Sequence, residues 1–133
     1  MARFRESAAE SGSAMYGIGV LYVDGCGFPQ NYGKAMAWWK KAAIRGNAKA
    51  MCNIGYLYAH ALGVEKNYSK AMAWFHRAAA AGSPAGEFQL GELYAKGLGT
   101  PKNLAKARFW LEKAAAANFP PAKQALKKLG AAP

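Results

Sequence analysis

The segment Ile54-Gly55-Tyr56-Leu57-Tyr58 decides the fold, because it returns after 36 residues in both directions. Forward it becomes Leu90-Gly91-Glu92-Leu93-Tyr94, and backward it becomes Ile18-Gly19-Val20-Leu21-Tyr22. The same interval relates further identical residues: Asn31, Asn67 and Asn103; Lys34, Lys70 and Lys106; Ala35, Ala71 and Ala107; Trp38, Trp74 and Trp110. Three copies at one period predict a tandem repeat whose units stack to bury a continuous core.

Each unit is predicted to contain two helices. In the second unit, the apolar residues Ala50, Ile54 and Leu57 follow a helical period between positions 48 and 60. A second helix is expected over about 67–81, and its apolar stripe consists of Ala71, Trp74, Phe75 and Ala78. A glycine inside a helix costs about 1 kcal/mol relative to alanine. Its return at positions 19, 55 and 91 therefore predicts that a neighbouring helix passes too close for a side chain.

The links between the helices carry stop and start signals. Glycine suits the left-handed cap that ends a helix, and asparagine suits the N-cap that begins the next one. Two positions depart from this pattern, since Ala61 replaces the first link glycine and Asn118 stands where Gly46 and Gly82 stood. We expect a single domain with repeats at about 8–43, 44–79 and 80–115, followed by a capping helix at about 120–129.

These residues resemble the Sel1-like repeat, a relative of the tetratricopeptide repeat. The fullest match is in the third unit, which contains Leu90-Gly91, Tyr94, Gly97-Leu98-Gly99, Lys106-Ala107, Trp110 and Lys113-Ala114-Ala115. The resemblance implies an all-α fold, a right-handed α-α superhelix or solenoid of about three helix-pair repeats plus the capping helix. It also implies a non-catalytic adaptor or scaffold that binds a peptide or protein surface.

Partner binding is expected on the first helices, which line the concave surface of such solenoids. The tetratricopeptide register implies a groove formed by Tyr16, Val20, Lys49, Cys52, Asn53, Tyr56, Phe88, Gln89 and Glu92. Among them, Tyr16, Tyr56 and Phe88 are the rigid aromatic residues that typically anchor a bound peptide or helix. The alternative is that these three rings are ordinary packing between helices.

The chain is strongly basic, with 18 Lys and Arg against 7 Asp and Glu and a net charge of +11. Most of these cations fall on the predicted second helices, the convex layer, or on the capping segment. Solubility and helix-end electrostatics account for much of this charge. The alternatives are binding of nucleic acid or an anionic membrane by the convex face, and an inhibitor or immunity-type protein that caps an enzyme or toxin. A nucleic-acid partner is not favoured, because no basic run alternates with exposed aromatic residues.

No catalytic, metal-binding or cofactor-binding site is predicted. His60 and His76 lie on different helices without a partner at ligand spacing, and there is no phosphate-binding or dinucleotide-binding glycine motif. Cys26 and Cys52 form no paired motif, and they do not match the two cysteines per repeat of the cysteine-rich branch of the family. We therefore expect no enzyme activity, cofactor, metal or disulfide.

Location and assembly are less constrained by the sequence. No window approaches the roughly 18 apolar residues of a membrane span. Arg3 and Arg5 are followed by Glu6, Ser7 and Glu10 where a signal peptide would be apolar, so a cytoplasmic location is the default expectation. A periplasmic or secreted location would follow if a leader had been removed before Met1. End-to-end stacking of repeats is a route to an oligomer, because a short array exposes its two end faces.

Overall fold

The computed structural model describes residues 11–25 and 30–131, and these residues form helices without any strand. The helices are α1 (Gly12–Asp24), α2 (Tyr32–Ile44), α3 (Ala48–His60), α4 (Tyr68–Ala80), α5 (Pro84–Lys96), α6 (Leu104–Ala116) and α7 (Pro120–Ala131). Each helix packs on the next, most extensively within the pairs α1/α2, α3/α4 and α5/α6. The predicted all-α superhelix of helix pairs with a terminal capping helix is confirmed.

The helix pairs begin four residues later than the repeat boundaries expected from the sequence, which are about 8–43, 44–79 and 80–115. They cover residues 12–44, 48–80 and 84–116. The reason is that a repeat determines the length of a unit but not the residue at which it starts. The capping helix begins at Pro120, as expected, and continues to Ala131.

Asparagine N-caps begin the second helices, as the sequence predicts. The side-chain oxygens of Asn31, Asn67 and Asn103 accept hydrogen bonds of 2.9, 2.9 and 3.0 Å from backbone N–H groups three residues later. Each oxygen thereby satisfies one of the unpaired N–H groups at a helix start. The N-cap backbone N–H groups in turn donate to the carbonyls of Tyr22, Tyr58 and Tyr94, which ties each second helix to the first helix of its unit.

The two departures at the links leave the backbone geometry unchanged. Gly25 and Gly97 end their helices in the left-handed conformation, with φ of 72° and 70°. Ala61 occupies the equivalent position with φ of 56°, and Asn118 has φ of 63°. Asparagine visits this region readily, whereas an alanine Cβ is strained there. The repeat therefore imposes its cap geometry even where the residue does not favour it.

The glycines at positions 19, 55 and 91 are sites of close helix approach, as predicted. A Cβ on Gly55 would lie 2.6 Å from Cε1 of Phe75, and one on Gly91 would lie 2.6 Å from Cγ of Leu111. Trp39 occupies the same place over Gly19. The side chains of Phe75 and Leu111 are fully buried. The core is thus a series of large second-helix side chains, each packed on the glycine of its partner helix.

The repeated tryptophans do not fill this core. Trp74 is half-buried, and the Arg77 guanidinium lies 4.2 Å from its ring centre. Lys41 and Lys113 lie over Trp38 and Trp110 in the same way. Three further repeated lysines, at positions 34, 70 and 106, lie over the tyrosines at 22, 58 and 94, at 5.5 to 5.6 Å. These six cations therefore cover aromatic rings of their own repeat, which is a favourable interaction.

Candidate partner-binding face

Three cavities lie along the first helices of the units. They lie between α1 and α3, between α3 and α5, and between α5 and α7. The first, of about 360 Å³, is lined by Val23, Tyr32, Trp39, Asn53, Tyr56, Leu57 and Leu62. The second, of about 180 Å³, is lined by Ala59, His60, Tyr68, Gln89, Glu92, Leu93, Lys96 and Leu98. The third, of about 270 Å³, is lined by Phe88, Glu92, Ala95, Lys96, Pro121, Gln124, Ala125, Lys128 and Leu129. We call this row of cavities the first-helix face.

The cavities are a feature of the repeat itself. Adding 36 to Val23, Tyr32, Asn53, Tyr56, Leu57 and Leu62 gives six residues that line the second cavity. Adding 36 again to Ala59, Gln89, Glu92 and Leu93 gives four residues of the third cavity. Two positions per unit change in chemistry along the row. One holds Asn53, Gln89 and Ala125, and the other holds Tyr56, Glu92 and Lys128.

Five of the residues predicted for the groove line these cavities: Asn53, Tyr56, Phe88, Gln89 and Glu92. Tyr56 is 44% exposed, and its ring centre lies 4.0 Å from that of His60. Glu92 forms an ion pair of 3.3 Å with Lys96 on the next turn of α5. Phe88 is half-buried and packs on Phe119, with ring centres 5.6 Å apart. Phe88 therefore supports the capping helix as well as a cavity wall.

The other predicted groove residues lie elsewhere. The Tyr16 ring is stacked on Trp39 at 6.3 Å, and its carbonyl accepts a hydrogen bond of 3.1 Å from the Trp39 indole N–H. Val20 is half-buried and packs against the core. Lys49 is exposed, outside the residues that line the three cavities. For Tyr16, packing between helices is thus the role that the contacts describe.

Cys52 differs from the expectation that it lines the groove, because it lies in the core. Only 9% of the residue is exposed, and it makes a hydrogen bond with Ser83, the N-cap of α5. Burial raises the pKa of the thiol to about 11, against the smaller opposing effect of the Ser83 hydrogen bond. Cys52 is a free thiol, while Cys26 lies outside the described residues. Cys52 is not among the residues that line the three cavities.

Sequence reasoning missed several cavity residues, of which Lys128 is the clearest. It stands two repeats after Tyr56, so the 36-residue shift that revealed the repeat also locates it. The sequence prediction gives the capping segment no role beyond covering the last repeat. The link residues Leu62 and Leu98 and the helix-start residues Tyr32 and Tyr68 also line cavities. Their placement depends on how each link folds over the preceding unit, which periodicity does not describe.

The charge is separated between the two helix layers. The second helices and the C-cap of α2 carry nine cations and one acidic residue, Glu112. The cations are Lys34, Lys40, Lys41, Arg45, Lys70, Arg77, Lys106, Arg108 and Lys113. The first helices carry Asp24, Lys49, Glu87, Glu92 and Lys96, which nearly balance. The first-helix face is therefore close to neutral until it reaches the lysines of α7.

The described residues offer no metal site and no membrane span. No group of three or more His, Cys, Asp or Glu side chains there could hold a metal ion. The His76 ring lies edge-on to Trp110 at 5.6 Å, and burial and then the nearby Lys106 charge lower its pKa. None of the helices in ranges 11–25 and 30–131 has the length and apolar character needed to cross a bilayer.

The family model of the Sel1 repeat matches residues 12–47, 48–83 and 84–119, the three helix pairs with their links. The chain belongs to the Sel1 repeat family. The matched ranges follow the observed helix pairs, and each cavity is lined by residues of one Sel1 unit and of the unit or helix that follows it. Sel1 repeat proteins have a non-catalytic scaffold fold, act in general as adaptors, and typically bind protein partners.

Solved structures of Sel1 repeat proteins are similar to this one. A Sel1 repeat protein from Oxalobacter formigenes is 37% identical with a TM-score of 0.79, and the match covers 88% of each chain. The protective antigen c5321 of uropathogenic Escherichia coli is 35% identical with a TM-score of 0.78 over 81% of this chain, which spans only 23% of that antigen. The cysteine rich protein B of Helicobacter pylori shares the fold, with 21% identity, a TM-score of 0.68 and coverage of 85% and 95%. No curated protein in the comparison matches the chain significantly.

Proposed function

We propose that this Sel1 repeat protein is an adaptor that binds a peptide or protein surface of its partner along the first-helix face. The observation that carries the proposal is the row of three equivalent cavities. N-cap positions such as Asn31, Asn67 and Asn103 keep their identity from unit to unit, whereas the cavity position of Tyr56, Glu92 and Lys128 does not. A surface with equivalent positions in each unit and variable chemistry at those positions is suited to selective recognition.

Tyr56 is the expected main anchor for a partner. It is one of the exposed large apolar side chains, and it stands at the wall of the largest of the three cavities. A tyrosine adds a large rigid contact area at a low cost in side-chain entropy, and truncation of such an anchor commonly weakens binding by more than about ten-fold. The repeated cations of the second helices already lie over rings of their own repeats, so they give less support to an electrostatic partner on the convex face.

Photo-crosslinking tests which face binds. p-Benzoylphenylalanine is placed at position 56 on the first-helix face, or at position 109 on a second helix, where Phe109 is 55% exposed. The expected result is a crosslinked partner from position 56 and none from position 109. Crosslinks from position 109 alone would contradict the proposal. Once the partner is known, Tyr56→Ala should weaken its binding by at least about ten-fold, while Ile44→Ala, at a second-helix residue that is 81% exposed, should leave it unchanged.

A further inference from the structure

We propose that the partner binds as an extended peptide, held by its main chain at Asn53 and Gln89, with an acidic side chain against Lys128. An apolar or aromatic side chain elsewhere in the same segment enters the first cavity. This inference rests on the proposed function and adds the conformation and the chemistry of the bound segment.

Two carboxamides stand at equivalent positions of successive units. Asn53 and Gln89 are half-buried at the walls of the first and second cavities. No hydrogen bond joins either carboxamide to another residue in the described part of the chain. A carboxamide offers both donors and acceptors, the same combination that a peptide main chain needs. An extended segment has free main-chain groups to pair with them, whereas a helix has already used its own.

An extended conformation sets the expected spacing of the contacts along the partner. Neighbouring helices of one layer are on the order of 10 Å apart, and an extended chain covers that distance in about three residues. Successive cavities should therefore receive residues about three apart in the partner. The first and third cavities should receive residues about six apart.

The first cavity is suited to an apolar side chain. Its walls include Tyr32, Trp39 and Leu62, and its volume of about 360 Å³ is twice that of the second cavity. The indole N–H of Trp39 is occupied by the Tyr16 carbonyl, so it offers no donor to a ligand. A partner side chain gains there chiefly from burial of apolar surface.

The third cavity is suited to an acidic side chain beside an apolar contact. Phe88, Ala125 and Leu129 supply apolar walls, and Lys96 and Lys128 supply the positive charge. Lys96 already pairs with Glu92 at 3.3 Å, whereas no carboxylate of the described residues pairs with Lys128. Helix α7 has three lysines and no acidic residue. A carboxylate is attracted to this end of the row, and a basic side chain is repelled.

Selection from a library of phage-displayed random dodecapeptides against the full chain tests this inference. The expected binders have an apolar residue and an Asp or Glu about six positions apart. Lys128→Glu should weaken binding of a selected synthetic peptide by about ten-fold at low salt, and renewed selection should replace the acidic residue with Lys or Arg. The matched control is Lys127→Glu, the same charge change at the neighbouring exposed residue outside the cavity lining. It should weaken binding clearly less than Lys128→Glu, and renewed selection should keep the acidic residue.

The carboxamides are tested by affinity for peptides of different sequence. Asn53→Ala and Gln89→Ala should each weaken all selected peptides by about ten-fold, because they remove main-chain contacts. Circular dichroism of each variant should show unchanged helix content. Peptides with an amidated C-terminus should bind as well as the free acids. If only free acids bind, the recognised carboxylate is a chain end and the proposed side-chain contact is wrong.

The outcomes separate this inference from the proposed function. Three results would overturn the inference and leave the adaptor function standing, in each case with peptides that need Tyr56. The peptides show no acidic preference, they respond equally to Lys127→Glu and Lys128→Glu, or they are helical when bound. If no selected peptide depends on Tyr56, the peptide-binding role of the face fails. If Tyr56→Ala instead converts a self-associated chain to monomers in sedimentation, the occupant is a second copy and the inference is also wrong.

Discussion

Single residues in this molecule are held by the repeat in conformations that they do not favour, and Ala61 is the clearest example. Its φ of 56° lies in the left-handed region, and its N–H donates to the Leu57 carbonyl. The N–H groups of Gly25 and Gly97 donate in the same way to the carbonyls of Leu21 and Leu93. The left-handed region costs a non-glycine residue roughly 1 to 2 kcal/mol. Packing of the link against the preceding unit outweighs that cost.

Replacement of Ala61 should therefore stabilise the protein. Ala61→Gly is expected to raise the free energy of unfolding by about 0.5 to 1 kcal/mol, since relief of strain exceeds the entropy gained by the unfolded chain. Gly97→Ala, at the equivalent cap with φ of 70°, should change it in the opposite direction. Urea denaturation measures both. Equal effects of the same sign would show that the cap conformation does not control stability here.

At the scale of the helices, the repeat depends on a close contact between one glycine and one large side chain per unit. In the second unit Gly55 meets the ring of Phe75, which is fully buried. Where the sequence varies the large residue, as in Trp39, Phe75 and Leu111, the glycine opposite is unchanged. The sequence identified these glycines because a helix-weakening residue returned at one period. It did not identify which second-helix residue meets each glycine.

Gly55→Ala and Gly17→Ala test this contact as a matched pair. Both glycines lie inside first helices, but a Cβ at position 17 would have no atom of a neighbour within 4 Å. Gly55→Ala should lower the free energy of unfolding by about 1 to 3 kcal/mol through overpacking. Gly17→Ala should raise it by up to about 1 kcal/mol through helix propensity. Thermal and urea unfolding report both changes, and stabilisation by Gly55→Ala would contradict the close-packing role.

At the scale of the whole molecule, α7 is the last helix of the described residues, and it packs like the first helix of another unit. Ala122 is fully buried in the cluster with Leu111 and Ala114, so α7 packs on α6 as earlier first helices pack on the preceding second helix. The position of the packing glycines 19, 55 and 91 is occupied in α7 by Lys127, which is exposed. A further second helix could not approach α7 in the manner seen in the three repeats. Lys127 thus marks α7 as a cap.

Loosening the cap should affect the stack locally, because each unit of a solenoid contacts chiefly its neighbours. Phe119→Ala removes the ring that packs on Phe88 and should raise hydrogen exchange of α7 amides by about ten-fold, while amides of α3 remain protected. Phe109→Ala, at an exposed residue of α6, is the control and should have little effect. A uniform loss of protection along the chain would show instead that the helices unfold as one unit.

The period of 36 residues, the helix pairs, the N-caps and the close-packed glycines follow from the sequence by itself. They are determined by local signals, namely helical periodicity and capping chemistry, which act within a few residues and are repeated three times. The groove was only partly predictable. Asn53, Tyr56, Phe88, Gln89 and Glu92 line cavities, whereas Tyr16 stacks on Trp39 and Cys52 is buried against Ser83.

Only the tertiary structure decided those differences, since they depend on the crossing of helices and on the fold of each link. A shift of one residue rotates a helical side chain by about 100°, which is enough to separate the buried Cys52 from the cavity-lining Asn53. The same contacts between distant segments bring Lys128 of the cap beside Phe88 of the third repeat. Repetition specifies the scaffold because it acts locally, and the chemistry of the first-helix face emerges only when neighbouring units are stacked.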